Sequence, residues 1–274
     1  MFGVVWEHFV DLFVISSAFT FLCYLFASVG VLSRLLHPQG PNIKLALTLG
    51  FIGILSHTAN NIHYLFIQDS INFSLPNVVS LVSLLIVITV TITALKYKVN
   101  LLLPVIYGFA GCWQLLMIFI PPIAKIPLMA DKAYLLVHIS LALLAYCVLI
   151  IATLYAFQVS YINMKLKHKN LTAVSHLPPL MQVEKQLFCI LAFGTSSLFL
   201  SIATGLTFLD DFLATANAHK TVLSVAALLC YAVILWGHFK QGWRGHRVLI
   251  LTVIASVLLT LAYFGSRFVR EFLI

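Results

Sequence analysis

The stretch Ile234-Leu-Trp-Gly-His-Phe-Lys-Gln-Gly-Trp-Arg-Gly-His-Arg247 passes from an apolar run directly into a turn dense in Lys and Arg. A transmembrane helix leaves such a boundary where it meets the cytoplasm, because basic loops are retained on that side. Apolar runs of this kind fill the chain. Of its 274 residues 62% are hydrophobic and 9% charged, against about 25% charged in a soluble domain, and mean hydropathy is +1.05. This composition belongs to an integral membrane protein.

About 20 apolar residues are needed to cross the hydrocarbon core. The sequence predicts eight such segments, at roughly 10–32, 45–67, 77–95, 101–120, 134–163, 186–208, 221–240 and 248–268. The expected fold is all-α, a polytopic bundle of eight transmembrane helices forming a single membrane domain over 1–274. Basic residues set the orientation. One topology places Arg34, Lys44, Lys96, Lys98, Lys165, Lys167, Lys169, Lys185, Lys240, Arg244 and Arg247 inside, and leaves Lys125, Lys132, Lys220, Arg267 and Arg270 outside. Both termini are then expected to be extracytoplasmic. Met1 to Asp11 holds Glu7, His8 and Asp11 but no Lys or Arg, so the first run is expected to remain as a helix rather than serve as a cleaved signal peptide. In the inner loop between Lys165 and Lys185, Leu177-Pro-Pro-Leu-Met181 breaks the helix and sets the entry to the sixth segment.

The net charge of +8 does not point to nucleic acid, because the cations are scattered between apolar runs instead of gathered on one polar face. Cys23, Cys112, Cys147, Cys189 and Cys230 all fall inside apolar runs, with neither a C-x-x-C pair nor a haem-attachment motif, and read as packing residues. The acids are Glu7, Asp11, Asp69, Asp131, Glu184, Asp210, Asp211 and Glu271, each at a segment end or in a loop. Cation-coupled transporters rely on carboxylates at membrane depth. That distribution weighs against transport.

Histidines remain as candidates. His57 falls near the middle of the second segment and His238 near the inner end of the seventh; His63, His138 and His219 fall near outer ends, and His8, His37, His168, His176 and His246 in the tail or inner loops. A neutral imidazole binds iron through one ring nitrogen while a partner holds the other, and two such residues supply both axial positions of a haem. Each has a second reading as a hydrogen-bonded packing residue, and the 21 Phe and 10 Tyr suit a lipid-facing surface as well as a macrocycle. Depth tests the inner pair. His57 lies roughly 20 Å along its helix from Lys44 and His238 about 3 Å from Lys240, so pairing them requires the seventh helix to run on through Gln241 and Gly242 or the second to start later. Gly50-Phe-Ile-Gly53 and Gly108-Phe-Ala-Gly111 permit close helix contact.

Leu136-Val-His-Ile-Ser-Leu-Ala-Leu-Leu-Ala-Tyr146, the Leu177 to Met181 stretch with Gly194 and Ala203-Thr-Gly205, and Gly242-Trp-Arg-Gly245 together resemble the membrane core of the Ccs-type, haem-handling cytochrome c assembly proteins. The resemblance covers roughly 134–268, and the whole chain looks closest to the small eight-helix HemX/YpjD-like branch of bacterial inner-membrane proteins. It implies haem b as cofactor, no enzymatic activity, and ligation at two levels. By position, His138 matches an outer-face ligand and His238 a ligand within the bundle, with His57 as its partner. The chain departs from the family in two places. Gly205 to His219 contains no Trp where the family has a tryptophan-rich loop, and Arg267 to Ile274 lacks a histidine. His219 or His63 is then the substitute outer ligand.

The leading expectation is thus a haem-binding membrane protein that moves or presents haem, its partners the lipid bilayer, haem, and haem-synthesis or cytochrome c maturation proteins. An alternative is a regulatory or scaffolding subunit docking through Lys165 to Lys169 and Lys240 to Arg247. A third is a metal or small-solute transporter using His63, His138 and His219.

Overall fold

The computed structural model describes residues 2–35, 40–65, 74–97, 99–120, 133–168, 178–208 and 218–265. Among these the chain forms eight α-helices and no strand: α1 (Phe2–Leu32), α2 (Ile43–Leu65), α3 (Leu75–Lys96), α4 (Leu102–Met117), α5 (Ala133–Lys167), α6 (Leu180–Phe208), α7 (Ala218–Gln241) and α8 (His246–Thr260), the last continued by a π-turn over Leu261–Gly265. All-helical architecture follows from the solvent: hydrocarbon offers no partner to a backbone amide, and a helix satisfies its own. Each predicted segment coincides with a helix, and seven are long and apolar enough to cross a membrane.

The fourth segment is shorter than its apolar run. α4 stops at Met117 because the Ile118 and Phe119 amides donate back to the Leu115 and Leu116 carbonyls (3.2 and 2.9 Å), a tightened last turn ahead of Pro121 and Pro122. The entry to α6 is as the sequence implies. Pro178 and Pro179 stand outside the helix, and the Pro179 carbonyl accepts the Gln182 and Val183 amides (3.0 and 3.2 Å).

The chain divides into two compact units, one built on α1–α4 and the other on α5–α8. In the first, α1 packs against α2 and α4, while α3 packs against the same two helices. In the second, α5 lies along α6 and also meets α8, and α7 packs against α6 and α8. The helices are apolar on all sides, so the hydrophobic effect does not choose which face turns inward. Phe19, Phe26, Phe51, Phe193, Phe199, Trp236 and Phe239 are exposed. The buried faces hold small and polar residues such as Ser17, Thr20, Ser80, Thr153, Thr195 and Thr252, as expected where association depends on close packing and interhelical hydrogen bonds.

Candidate functional site

His57 lies just past the middle of α2, fully buried. Both ring nitrogens are engaged by hydroxyls: Nδ1 is 3.3 Å from the Tyr24 hydroxyl of α1 and Nε2 is 3.1 Å from Ser80 Oγ of α3. A hydroxyl both donates and accepts, so the pair accommodates either neutral tautomer. Ser80 Oγ also accepts from Gln114 Nε2 of α4 (2.8 Å). The amide of Asn60 donates to Gln114 Oε1 (3.0 Å) and its Oδ1 accepts from Ser16 (2.7 Å). Thr20 and Ser56 close the cluster at 2.7 Å. The imidazole is therefore one member of a hydrogen-bonded network joining all four helices of the first unit.

The glycines explain how Tyr24 reaches it. A Cβ at Gly53 would lie 2.6 Å from Tyr24 Cε1, and one at Gly50 would strike the Tyr107 hydroxyl. Gly50-Phe-Ile-Gly53 thus receives two aromatic rings where the spacing suggested close backbone contact. The rings stack on each other, 5.5 Å apart and 8° from parallel, and Thr91 holds the Tyr107 hydroxyl at 2.9 Å.

In the second unit, His138 stands near the start of α5 and His238 near the end of α7. His138 Nδ1 is 2.8 Å from the Ser201 carbonyl and 3.4 Å from Thr204 Oγ1 on α6. His238 Nδ1 is 3.1 Å from the Trp243 carbonyl. A carbonyl only accepts, so Nδ1 carries the proton in each ring and Nε2 of the neutral form carries the lone pair. Histidines that bind iron or zinc are held this way, by a partner on the other nitrogen.

The end of α7 is shaped around His238. The helix runs through Gln241 and turns at Gly242, whose φ of 66° is in the left-handed region that glycine enters without strain. The Gly242 amide donates to the His238 carbonyl (3.0 Å) and the Trp243 amide to the Gly237 carbonyl (3.1 Å). The chain folds back so that the Trp243 indole covers Gly237, where a Cβ would collide with it, and Trp243 Nε1 donates to Gln241 Oε1 (2.7 Å). Phe188 of α6 stacks on the imidazole, 3.3 Å between centroids at 12°. Nearby, Arg244 Nε is 3.8 Å from Glu184 Oε2, linking the α7–α8 turn to the N-terminal part of α6.

His63, in the last turn of α2, is exposed and lies beside Tyr64 and Phe13, with ring centroids 6.0 and 6.4 Å away. His219 is exposed at the start of α7. Residues 209–217 of the tryptophan-free loop and residues 266–274 lie outside the described residues. The structure thus joins His138 to Thr204 and His238 to Trp243 within one unit, while His57 belongs to the other. Among the described residues no three His, Cys, Asp or Glu side chains cluster to hold a metal ion. Tyr24, Ser80, Thr204 and Trp243 are the partners that sequence reasoning missed. Nothing marks them locally, because each acts on a histidine of a neighbouring helix or across a turn.

Fold and site define a polytopic helical membrane protein with imidazoles held at fixed orientation. The chain belongs to the cytochrome c assembly protein family, whose model matches residues 45–274 and so takes in His57, His138 and His238. It is 44% identical over 200 residues to the inner membrane protein YpjD of Escherichia coli strain K12, covering 73% of this chain and 76% of that one. An uncharacterized 28.8 kDa protein of Azospirillum brasilense is 33% identical over 141 residues, half of each chain. No solved structure matches it.

Proposed function

We propose that this protein is a haem-handling component of the bacterial inner membrane, binding haem b through histidines and moving or presenting it without catalysing a covalent reaction. The observation that carries this reading is His238: a half-buried imidazole with Nδ1–H on a backbone carbonyl, clamped by Phe188 and by a glycine-built turn. His138 has the same carbonyl arrangement and serves as the outer ligand, with His63 or His219 as the additional outer donor. His57, in the other unit, remains a candidate ligand, and would act as one only by giving up one of its two hydroxyl partners. Bound haem would supply an iron open to imidazole ligation, which His238, His138 and His57 would be the residues to hold. The chain's own residues orient the donor nitrogens and surround the macrocycle with apolar side chains. The topology proposed with it is one membrane domain with both termini extracytoplasmic, which puts His238 toward the inner side and His138 toward the outer.

The test is an absorbance spectrum of protein purified after haem-replete expression. The expected result is a Soret band that weakens in His238→Ala and His57→Ala, with His138→Ala removing a separate fraction. Protein free of haem under those conditions would overturn the reading.

A further inference from the structure

Glu184 is the single acid among the described residues of α5–α8. It sits near the N-terminal end of α6, a helix that is long and apolar enough to cross the membrane, and its side chain is only 13% exposed. A carboxylate withdrawn from water loses solvation that close donors must replace. The ion pair it makes among the described residues is with Arg244, at 3.8 Å, and that side chain is 64% exposed. A charge-assisted hydrogen bond closes to about 2.7–2.9 Å. The pair therefore leaves the carboxylate oxygens, and most of the guanidinium N–H groups, open to a further partner.

Behind the pair a narrow crevice runs between α5, α6 and the start of α8. Glu184 and Gly245 stand at one end of it, and Ala156, Val159, Leu187 and Val248 form apolar walls. Its polarity changes with depth, because Leu187 and Val248 lie about one turn further into their helices than Glu184 and Gly245. A phospholipid has the same order, a charged headgroup followed by apolar chains. The two charges at the mouth select among headgroups. Arg244, with Lys185 and Arg247 exposed beside it in sequence, suits a phosphate. Glu184 meets a purely anionic headgroup with like charge and needs a cation that carries N–H groups.

We propose that this mouth binds the headgroup of phosphatidylethanolamine. Arg244 takes the phosphate, Glu184 accepts from the primary ammonium two methylenes away, and the start of the acyl chains lies along the apolar walls. The headgroup rests over the Arg244–Glu184 pair at the surface, so the closely packed interior need not open. A choline headgroup offers the carboxylate methyl groups in place of N–H donors, and a glycerol headgroup offers it no cation. The inference is independent of the haem reading.

The experiment uses the purified full chain, freed of co-purified lipid in detergent and incubated with an equimolar mixture of phosphatidylethanolamine, phosphatidylcholine and phosphatidylglycerol of identical acyl chains. Retained lipid is read by native mass spectrometry. The ethanolamine lipid is expected to be retained over the choline lipid about tenfold, the worth of one charge-assisted hydrogen bond. Glu184→Gln keeps the shape of the side chain and is expected to bring that ratio close to one without lowering total phospholipid. Arg244→Gln, at an exposed position, should lower retention of all three lipids together. Equal retention of the ethanolamine and choline lipids by the wild-type chain would overturn the proposal, as would a preference that survives Glu184→Gln. A preference for the glycerol lipid that Glu184→Gln strengthens would overturn it in favour of an anionic-lipid site.

Discussion

The two units use polar side chains differently. Hydroxyls such as Thr20 and Thr58 turn back on their own helix in the first unit too, but among the described residues only there does an extended side-chain network cross all four helices. In α1–α4 the polar groups bond between helices, through the contacts linking Ser16, Asn60, Gln114, Ser80, His57 and Tyr24. In α5–α8 most hydroxyls turn back on their own helix. Thr153 donates to the Leu149 carbonyl, Thr195 to Leu191, Thr252 to Val248 and Thr260 to Ser256, each four residues earlier. Tyr146 with Thr260 is an interhelical exception at 3.1 Å. The lesson concerns what a histidine can do in each setting. Embedded in an interhelical network, His57 is held at both nitrogens. In the second unit, His138 and His238 are each held at Nδ1 by a backbone carbonyl.

This contrast is open to attack by mutation, with the largest effect expected at the aromatic seats. Gly53→Leu drives a branched side chain into the Tyr24 ring and is expected to lower stability in detergent by about 3 kcal/mol, measured as a shifted SDS-unfolding midpoint. A tolerated leucine there would mean that Tyr24 is not locked. Gln114→Leu removes one buried partner from each of Ser80 and Asn60 and should cost about 1–2 kcal/mol. Gly237→Ala displaces the Trp243 indole and with it the carbonyl holding His238. It is expected to cost about 1 kcal/mol and, on the haem reading, to broaden the Soret band. Thr195→Val removes only an intrahelical bond and should shift the midpoint by no more than about 0.6 kcal/mol. If it costs as much as Gln114→Leu, the contrast between the units fails. Glu184→Gln breaks a long pair with an exposed arginine and is expected to change stability by less than about 1 kcal/mol, with salt reducing the difference further.

The helices were legible because membrane burial writes itself as composition: seven spans and the shorter α4 all coincide with apolar runs. The candidate histidines were legible for the converse reason, since a titratable group among such runs stands out against its surroundings. Their environments were not. The condition for pairing His57 with His238 is not met: α7 ends at Gln241, the positive φ at Gly242 turns the chain back over His238, and α2 begins at Ile43 rather than later. The spacing of Gly50 and Gly53 signalled a close approach but carried no sign that rings would fill it.

Sequence alone determined that this chain crosses the membrane many times as helices, that acids are kept to segment ends and loops, and which imidazoles lie within apolar segments. Those properties depend on the identity of a residue and the solvent around its segment, and both are local. The tertiary structure decided which nitrogen of each histidine is held and by what. A hydrogen bond from α2 to α1 or α3 depends on the rotation of three helices about their axes, and helices apolar on every side carry little in their own periodicity to set that rotation.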